Sequence, residues 1–148
     1  MVGQLPAVAG SHSGQGGAAA DRGDRPFGAV VVRNDTVVMT DSNRVVTEDD
    51  IRRHPELHLA FRARRAMTAR ARAVTAMYTS TEPCPMCAGG TTTAGFSHVV
   101  SSVSSEEPVS FTGESPAVRS AEVLKRVGEV VGPVMMEKGR AVHREFDW

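Results

Sequence analysis

The chain has 148 residues, 41% of them apolar and 23% charged, and its 17 basic and 17 acidic side chains cancel. That length fits one compact domain with a sizeable core and excludes two comfortable ones. Zero net charge removes the electrostatic case for a long nucleic acid as partner, and no stretch reaches the roughly 18 apolar residues of a membrane span.

Residues 1–24 carry Gly3, Gly10, Gly14, Gly16, Gly17 and Gly23 without a sustained apolar period. They are expected to form a flexible Gly-rich arm, with at best a short helical patch at Ala18–Ala20, ahead of a single domain over 25–148. The segment has no basic start followed by an apolar run, so it does not read as a secretory signal. Phe27–Val32 and Thr36–Thr40 are apolar runs around Arg33-Asn34-Asp35, which predicts a hairpin. Asp41–Arg53 is polar and reads as loop. His54-Pro55 opens a helix, because proline suits a first helical position where its missing N–H is not needed. Leu57, Ala60 and Phe61 then give an apolar stripe that runs to about Met67. A strand at Thr75–Thr81, a short helix at Cys84–Ala94 and a strand at Val99–Val103 follow. Glu106–Pro116, with Pro108, Gly113 and Pro116, reads as loop. Val118–Val127 suits a helix and Glu129–Met136 a last strand interrupted at Gly132-Pro133. Strands alternating with helices after the hairpin imply a layered α/β domain on a mixed sheet.

The only cysteines, Cys84 and Cys87, sit in Cys-Pro-Met-Cys and cannot build a disulfide framework. They point to a cytoplasmic protein that uses thiolates for chemistry or metal, with a thioredoxin-like redox pair as the alternative. His54-Pro55-Glu56 and Glu82-Pro83-Cys84 complete the pattern. Imidazole and two thiolates are zinc donors, and three protein ligands leave one tetrahedral position for water, as in catalytic rather than structural sites. No third cysteine exists to close that position. Cysteines on a first helical turn meet unpaired N–H groups that favour the thiolate. Glu56 shares its helical turn with His54 and can take a proton from the water without binding the metal. His58 is the rival ligand in His58-Leu59-Ala60, but Ala60 cannot do a glutamate's work. His98 and His143 read as surface or core residues.

The pairing H-x-E with P-C-x-x-C is the signature of zinc nucleobase deaminases. On those residues the chain resembles the cytidine and deoxycytidylate deaminase superfamily, and most the branch of guanine deaminases and tRNA adenosine deaminases. The resemblance runs from Pro26-Phe27-Gly28-Ala29 to Val103 and is weaker beyond. It implies a three-layer α/β/α domain with a central mixed sheet of about five strands, one Zn2+ per chain and a homodimer or larger assembly. It also implies substrate contacts from Asn43 and Glu82, with Phe27 as core or pocket wall; Asn43 as a plain loop residue and Glu82 as a solvated strand end are the alternatives. Phe146 and Trp148 stand out in a chain with 5% aromatics and are expected to cover an active site or to pack on the core or an interface. Three departures from the family stand out. The Gly-rich arm replaces its first helix, Pro55 replaces its alanine, and Ser101-Ser102 stand where an aromatic residue is common. The implied activity is hydrolytic removal of an exocyclic amino group from a small nucleobase, nucleoside or related heterocycle, guanine-like above others, with release of ammonia. A tRNA adenosine deaminase is the enzymatic alternative, and a non-catalytic zinc-stabilised binding module the alternative of another class.

Overall fold

A computed structural model describes residues 14–113 and 118–148. Five strands lie in the order β2-β1-β3-β4-β5: β1 Gly28–Arg33, β2 Thr36–Ser42, β3 Ala76–Thr81, β4 His98–Val103 and β5 Glu129–Val131. β1 is antiparallel to β2 and to β3, with Val30 opposite Thr40 on one side and Tyr78 on the other. β3, β4 and β5 run parallel. The β1–β2 turn is carried by Asn34 (φ 50°) and Asp35 (φ 58°), two residue types that tolerate the left-handed conformation that tight hairpins require.

Parallel neighbours need a crossover, and helices supply it. α3 (Pro55–Ala66) precedes β3, α5 (Pro85–Ala94) joins β3 to β4, and the short α7 (Ser120–Val123) lies between β4 and β5. On one sheet face Ala29, Val31 and Met77 pack against Leu59, Ala60 and Ala63 of α3 and Ala94 of α5. Val99 continues that face against Ala88, Leu124 and Val127. Val30, Val32, Ala76, Tyr78 and Val100 form the core on the opposite face. There α8 (Met136–Glu145) approaches so closely that a Cβ on Gly139 would fall 2.2 Å from Val103 Cγ2. The result is the expected three-layer α/β/α arrangement around a mixed five-stranded sheet.

Several local expectations change. Residues 14–21, expected within a flexible arm, are helical (α1). Their glycines allow contact rather than prevent order: a Cβ on Gly16 would stand 2.9 Å from the Pro26 carbonyl oxygen, and one on Gly28 2.5 Å from Gln15 Cβ. Residues 1–13 of that arm lie outside the described residues. The expected loop at Asp41–Arg53 contains α2 (Val45–Glu48) and a 3-10 turn at Ile51–Arg53. Buried Asp24 holds α2 by accepting from the N–H groups of Val46 and Thr47 and from the Thr47 hydroxyl. α4 (Ala69–Ala73), capped by the Thr68 hydroxyl, was not anticipated. α6 (Glu106–Thr112) replaces expected loop, because Pro108 falls in a first turn where no N–H is needed and Gly113 (φ 72°) ends the helix. The expected helix at Val118–Val127 shortens to α7 followed by a 3-10 turn at Leu124–Arg126. β5 stops at Val131, before a proline that has no N–H to give a ladder. At the opposite margin of the sheet, Arg62 of α3 donates to the Thr40 carbonyl of β2 at 2.8 Å. Among the described residues no helix is long and apolar enough to cross a membrane.

Candidate active site

α3 and α5 begin alike: His54 and Cys84 are their N-cap residues, and Pro55 and Pro85 take the next position. The two helices pack so tightly that a Cβ on Gly90 would meet Leu57 Cδ1 at 2.5 Å. That approach brings both N-termini together at the end of β3. Donor atoms of His54, Cys84 and Cys87 lie within 4.8 Å of one another, with Cys84 Sγ 3.8 Å from His54 Nδ1. The Cys87 N–H donates to Cys84 Sγ at 3.5 Å. His58 is placed elsewhere, its Nδ1 2.6 Å from Asp41 Oδ2. His143 is a core residue, its Nε2 2.9 Å from the Thr81 hydroxyl, and His98 faces Ser97 and Glu129 at the sheet's end.

The protonation landscape fits metal binding. The Cys87 thiol, together with His54, hydrogen-bonds Cys84 and holds it down to about 4. Cys87 is pushed up by the same hydrogen bond and by burial. The bond to Cys84 raises His54. Glu56 is 5% exposed, and burial pushes its carboxyl up to about 7. One acidified thiol, a second buried beside it, an imidazole and a buried carboxyl pushed up to near neutrality are groups suited to binding a d10 cation and moving protons beside it.

These groups open onto a cavity of about 330 Å³ lined by Phe27, His54, Glu56, Glu82 and Cys84. Asn43, Phe146 and Trp148 do not line it. Asn43 is buried, and its Oδ1 accepts from the Val45 N–H at 3.0 Å, which ties the start of α2. Trp148 donates from Nε1 to the His143 carbonyl at 2.9 Å and stacks on Phe111 of α6, ring centroids 5.8 Å apart. Phe146 meets Trp148 edge-on, and Trp148 lies 6.0 Å from Phe27, so the C-terminal rings back the cavity wall through Phe27. Glu82 lines the cavity with its carboxylate engaged by protein. Burial alone would raise it, but the Ser105 N–H, the Ser120 hydroxyl and the Arg119 guanidinium outweigh burial and hold it below the usual range.

Arg25, Ser105, Pro108, Val109 and Ser120 also line the cavity and were not found in the sequence. The one available signal was Ser105 before Glu106-Glu107, a helix-start pattern that Pro108 obscured.

A buried carboxyl beside a His-Cys-Cys donor set, on helix starts over a mixed five-stranded sheet, is an arrangement suited to hydrolytic deamination. Comparison with known proteins shows a deaminase. A probable cytosine deaminase of Schizosaccharomyces pombe is 33% identical over 140 residues, spanning 86% of this chain and 83% of the relative. The guanine deaminase of Bacillus subtilis is 38% identical over 64 residues, 43% of this chain and 41% of the relative. A solved guanine deaminase from Nitrosomonas europaea superposes with a TM-score of 0.81 at 23% identity, over 94% of this chain and 82% of that one. A family model of MafB19-like deaminases matches residues 11–130, and the chain belongs to that family.

Proposed function

We propose that the protein is a zinc-dependent hydrolytic deaminase of a small amino-bearing heterocycle, with a guanine-like free base preferred over nucleosides and over tRNA. The carrying observation is the convergence of His54, Cys84 and Cys87 donors within 4.8 Å beside a buried Glu56. The donor set suits zinc in kind, and the ion would be held by His54 Nδ1, Cys84 Sγ and Cys87 Sγ. Bound there, it would supply Lewis acidity that acidifies water at neutral pH.

The chain's own groups do the rest. Glu56 takes a proton from the attacking water and delivers it to a ring nitrogen. A second proton passes through the same carboxyl to the exocyclic nitrogen, the C–N bond breaks, and ammonia leaves a ring carbonyl behind. Phe27 gives a flat face for the ring, and Trp148, with Phe146 on its edge, holds Phe27 from behind. A cavity of about 330 Å³ favours a free base, being at the small end of ligand pockets. The absence of net charge argues against tRNA. A dimer in a reducing, cytoplasmic setting completes the reading.

Ammonia release across free bases, nucleosides and amino-triazines tests it, with metal analysis on protein purified without chelators. Release from at least one free base at one zinc per chain is expected. Release from none of the panel, or no stoichiometric zinc, overturns the proposal.

A further inference from the structure

Glu82 follows the last residue of β3, and its N–H donates to the Val103 carbonyl at 2.7 Å, so its backbone is fixed to β4. From that fixed point the carboxylate joins two segments that are not adjacent in sequence. Oε2 accepts from the backbone N–H of Ser105, the N-cap of α6, at 3.0 Å. Oε1 accepts from the hydroxyl of Ser120, the first residue of α7, at 2.7 Å. Arg119 stands 3.5 Å from Glu82 Oε2 and 3.4 Å from Glu106 Oε1, bridging the two segments a second time. Ser105 and Ser120 both line the active-site cavity, and α6 adds Pro108 and Val109 to its apolar side. Pro83, Cys84 and Pro85 follow Glu82 directly, so one short stretch carries both a metal donor and the tie to the facing wall.

We infer that Glu82 is a positioning residue: it fixes the starts of α6 and α7 as the wall of the deaminase cavity and thereby sets substrate affinity, without itself contacting the ring. A carboxylate offers about four lone-pair directions, and three donors of the protein converge on this one. Loss of these ties lets the wall retreat from a substrate that the metal side still holds. This role rests on the small-heterocycle reading, because a wall matters only to a ligand that fills the cavity.

The test uses zinc-loaded protein, steady-state ammonia release and amide hydrogen exchange of α6. Glu82→Ala is expected to raise KM on the order of ten- to a hundred-fold, the scale of a 1 Å misplacement, while kcat stays within a few-fold. Exchange over residues 106–112 accelerates. Arg119→Ala moves both readouts in the same direction by less. If Glu82→Ala does not fold, Glu82→Gln replaces it, keeping an oxygen for Ser105 and losing the charge that faces Arg119. A collapse of kcat with KM and α6 exchange unmoved and Arg119→Ala silent means that Glu82 touches the substrate, and overturns the inference. A lower melting temperature with KM unmoved overturns it as well. Exchange is measured without substrate, so unchanged exchange refutes the role of Glu82 even if the parent releases no ammonia, whereas parental inactivity with faster exchange refutes only the proposed function.

Discussion

Gly139→Ala sets two physical effects of opposite sign against each other. Alanine in a helix interior is worth about 0.8–1.0 kcal/mol over glycine, so propensity alone makes the variant more stable. The added Cβ would lie 2.2 Å from Val103 Cγ2, 3.1 Å from Ser102 Oγ and 3.5 Å from the Ser80 carbonyl oxygen. Val103 is fully buried in β4 and stiff at χ1, so it cannot swing aside as a long surface chain would. The helix must lift instead. Overpacking of this kind costs roughly 1–3 kcal/mol, and the balance is a net loss of up to about 2 kcal/mol. At about 2–4 °C per kcal/mol for a domain of this size, the melting temperature falls by up to roughly 8 °C. The lift also disturbs the cavity, because α8 carries His143, whose Nε2 lies 2.9 Å from the hydroxyl of cavity-lining Thr81. Thermal unfolding by circular dichroism, with KM for the best substrate, reads both consequences. A melting temperature at or above the parent's would refute the reasoning, since helix propensity would then outweigh the contact.

Glu56→Gln is expected to retain zinc and fold while kcat falls by roughly 10²–10⁴-fold, as measured by metal analysis and ammonia release; retained turnover removes Glu56 from the mechanism. Asn43→Ala loses the side-chain carbonyl that accepts from Val45 and should lower stability by about 0.5–1.5 kcal/mol in chemical denaturation; an unchanged midpoint disproves a stabilising role for that bond. In metal-free protein Cys84, held down to about 4, should be alkylated well before Cys87 at pH 6, as peptide mass spectrometry can resolve, and zinc should suppress the reaction. Burial alone would raise Asp24, yet the Thr47 N–H and hydroxyl, Arg22 and the Val46 N–H hold its carboxyl below the usual carboxylate range. Its contribution is therefore present above the unfolded value and lost as pH falls through the folded one, so Asp24→Asn should flatten the acid limb of a stability–pH curve. An acid limb as steep as the parent's shows that Asp24 does not carry it.

The residues proposed to bind metal and move protons were legible in the sequence because their chemistry restricts residue type and their position restricts spacing. His54-Pro55-Glu56 and Cys84-Pro85-Met86-Cys87 each read as a helix start, and each is one. The central strands were equally readable from apolar runs bounded by turn residues. α6 and α8 were not: Pro108 and Gly113 made the first look like loop, and no element was assigned to the second. In three dimensions the proline needs no N–H in a first turn, and Gly139 lets a helix seat on the sheet. The same holds for α1, where Gly16 suggested disorder and serves close approach. Glu82 shows a second limit. Its residue type was noted, but its partners lie 23 to 38 positions further along the chain, and no local pattern announces them.

The two margins of the sheet are unequal, and this bears on how the protein behaves when crowded. β5 is three residues long and ends beside a proline, so it offers little backbone for another chain to join. β2 runs over seven residues, Thr36–Ser42, with Val38 46% exposed. Its outer rim is the natural template for sheet growth between molecules, and the Arg62 guanidinium on the Thr40 carbonyl occupies one of the positions that an incoming strand needs. Arg62 and the charge of its neighbours are therefore expected to limit strand-to-strand association at this rim. Formulation or redesign for concentrated stocks starts at Val38 and leaves the catalytic half of the sheet untouched.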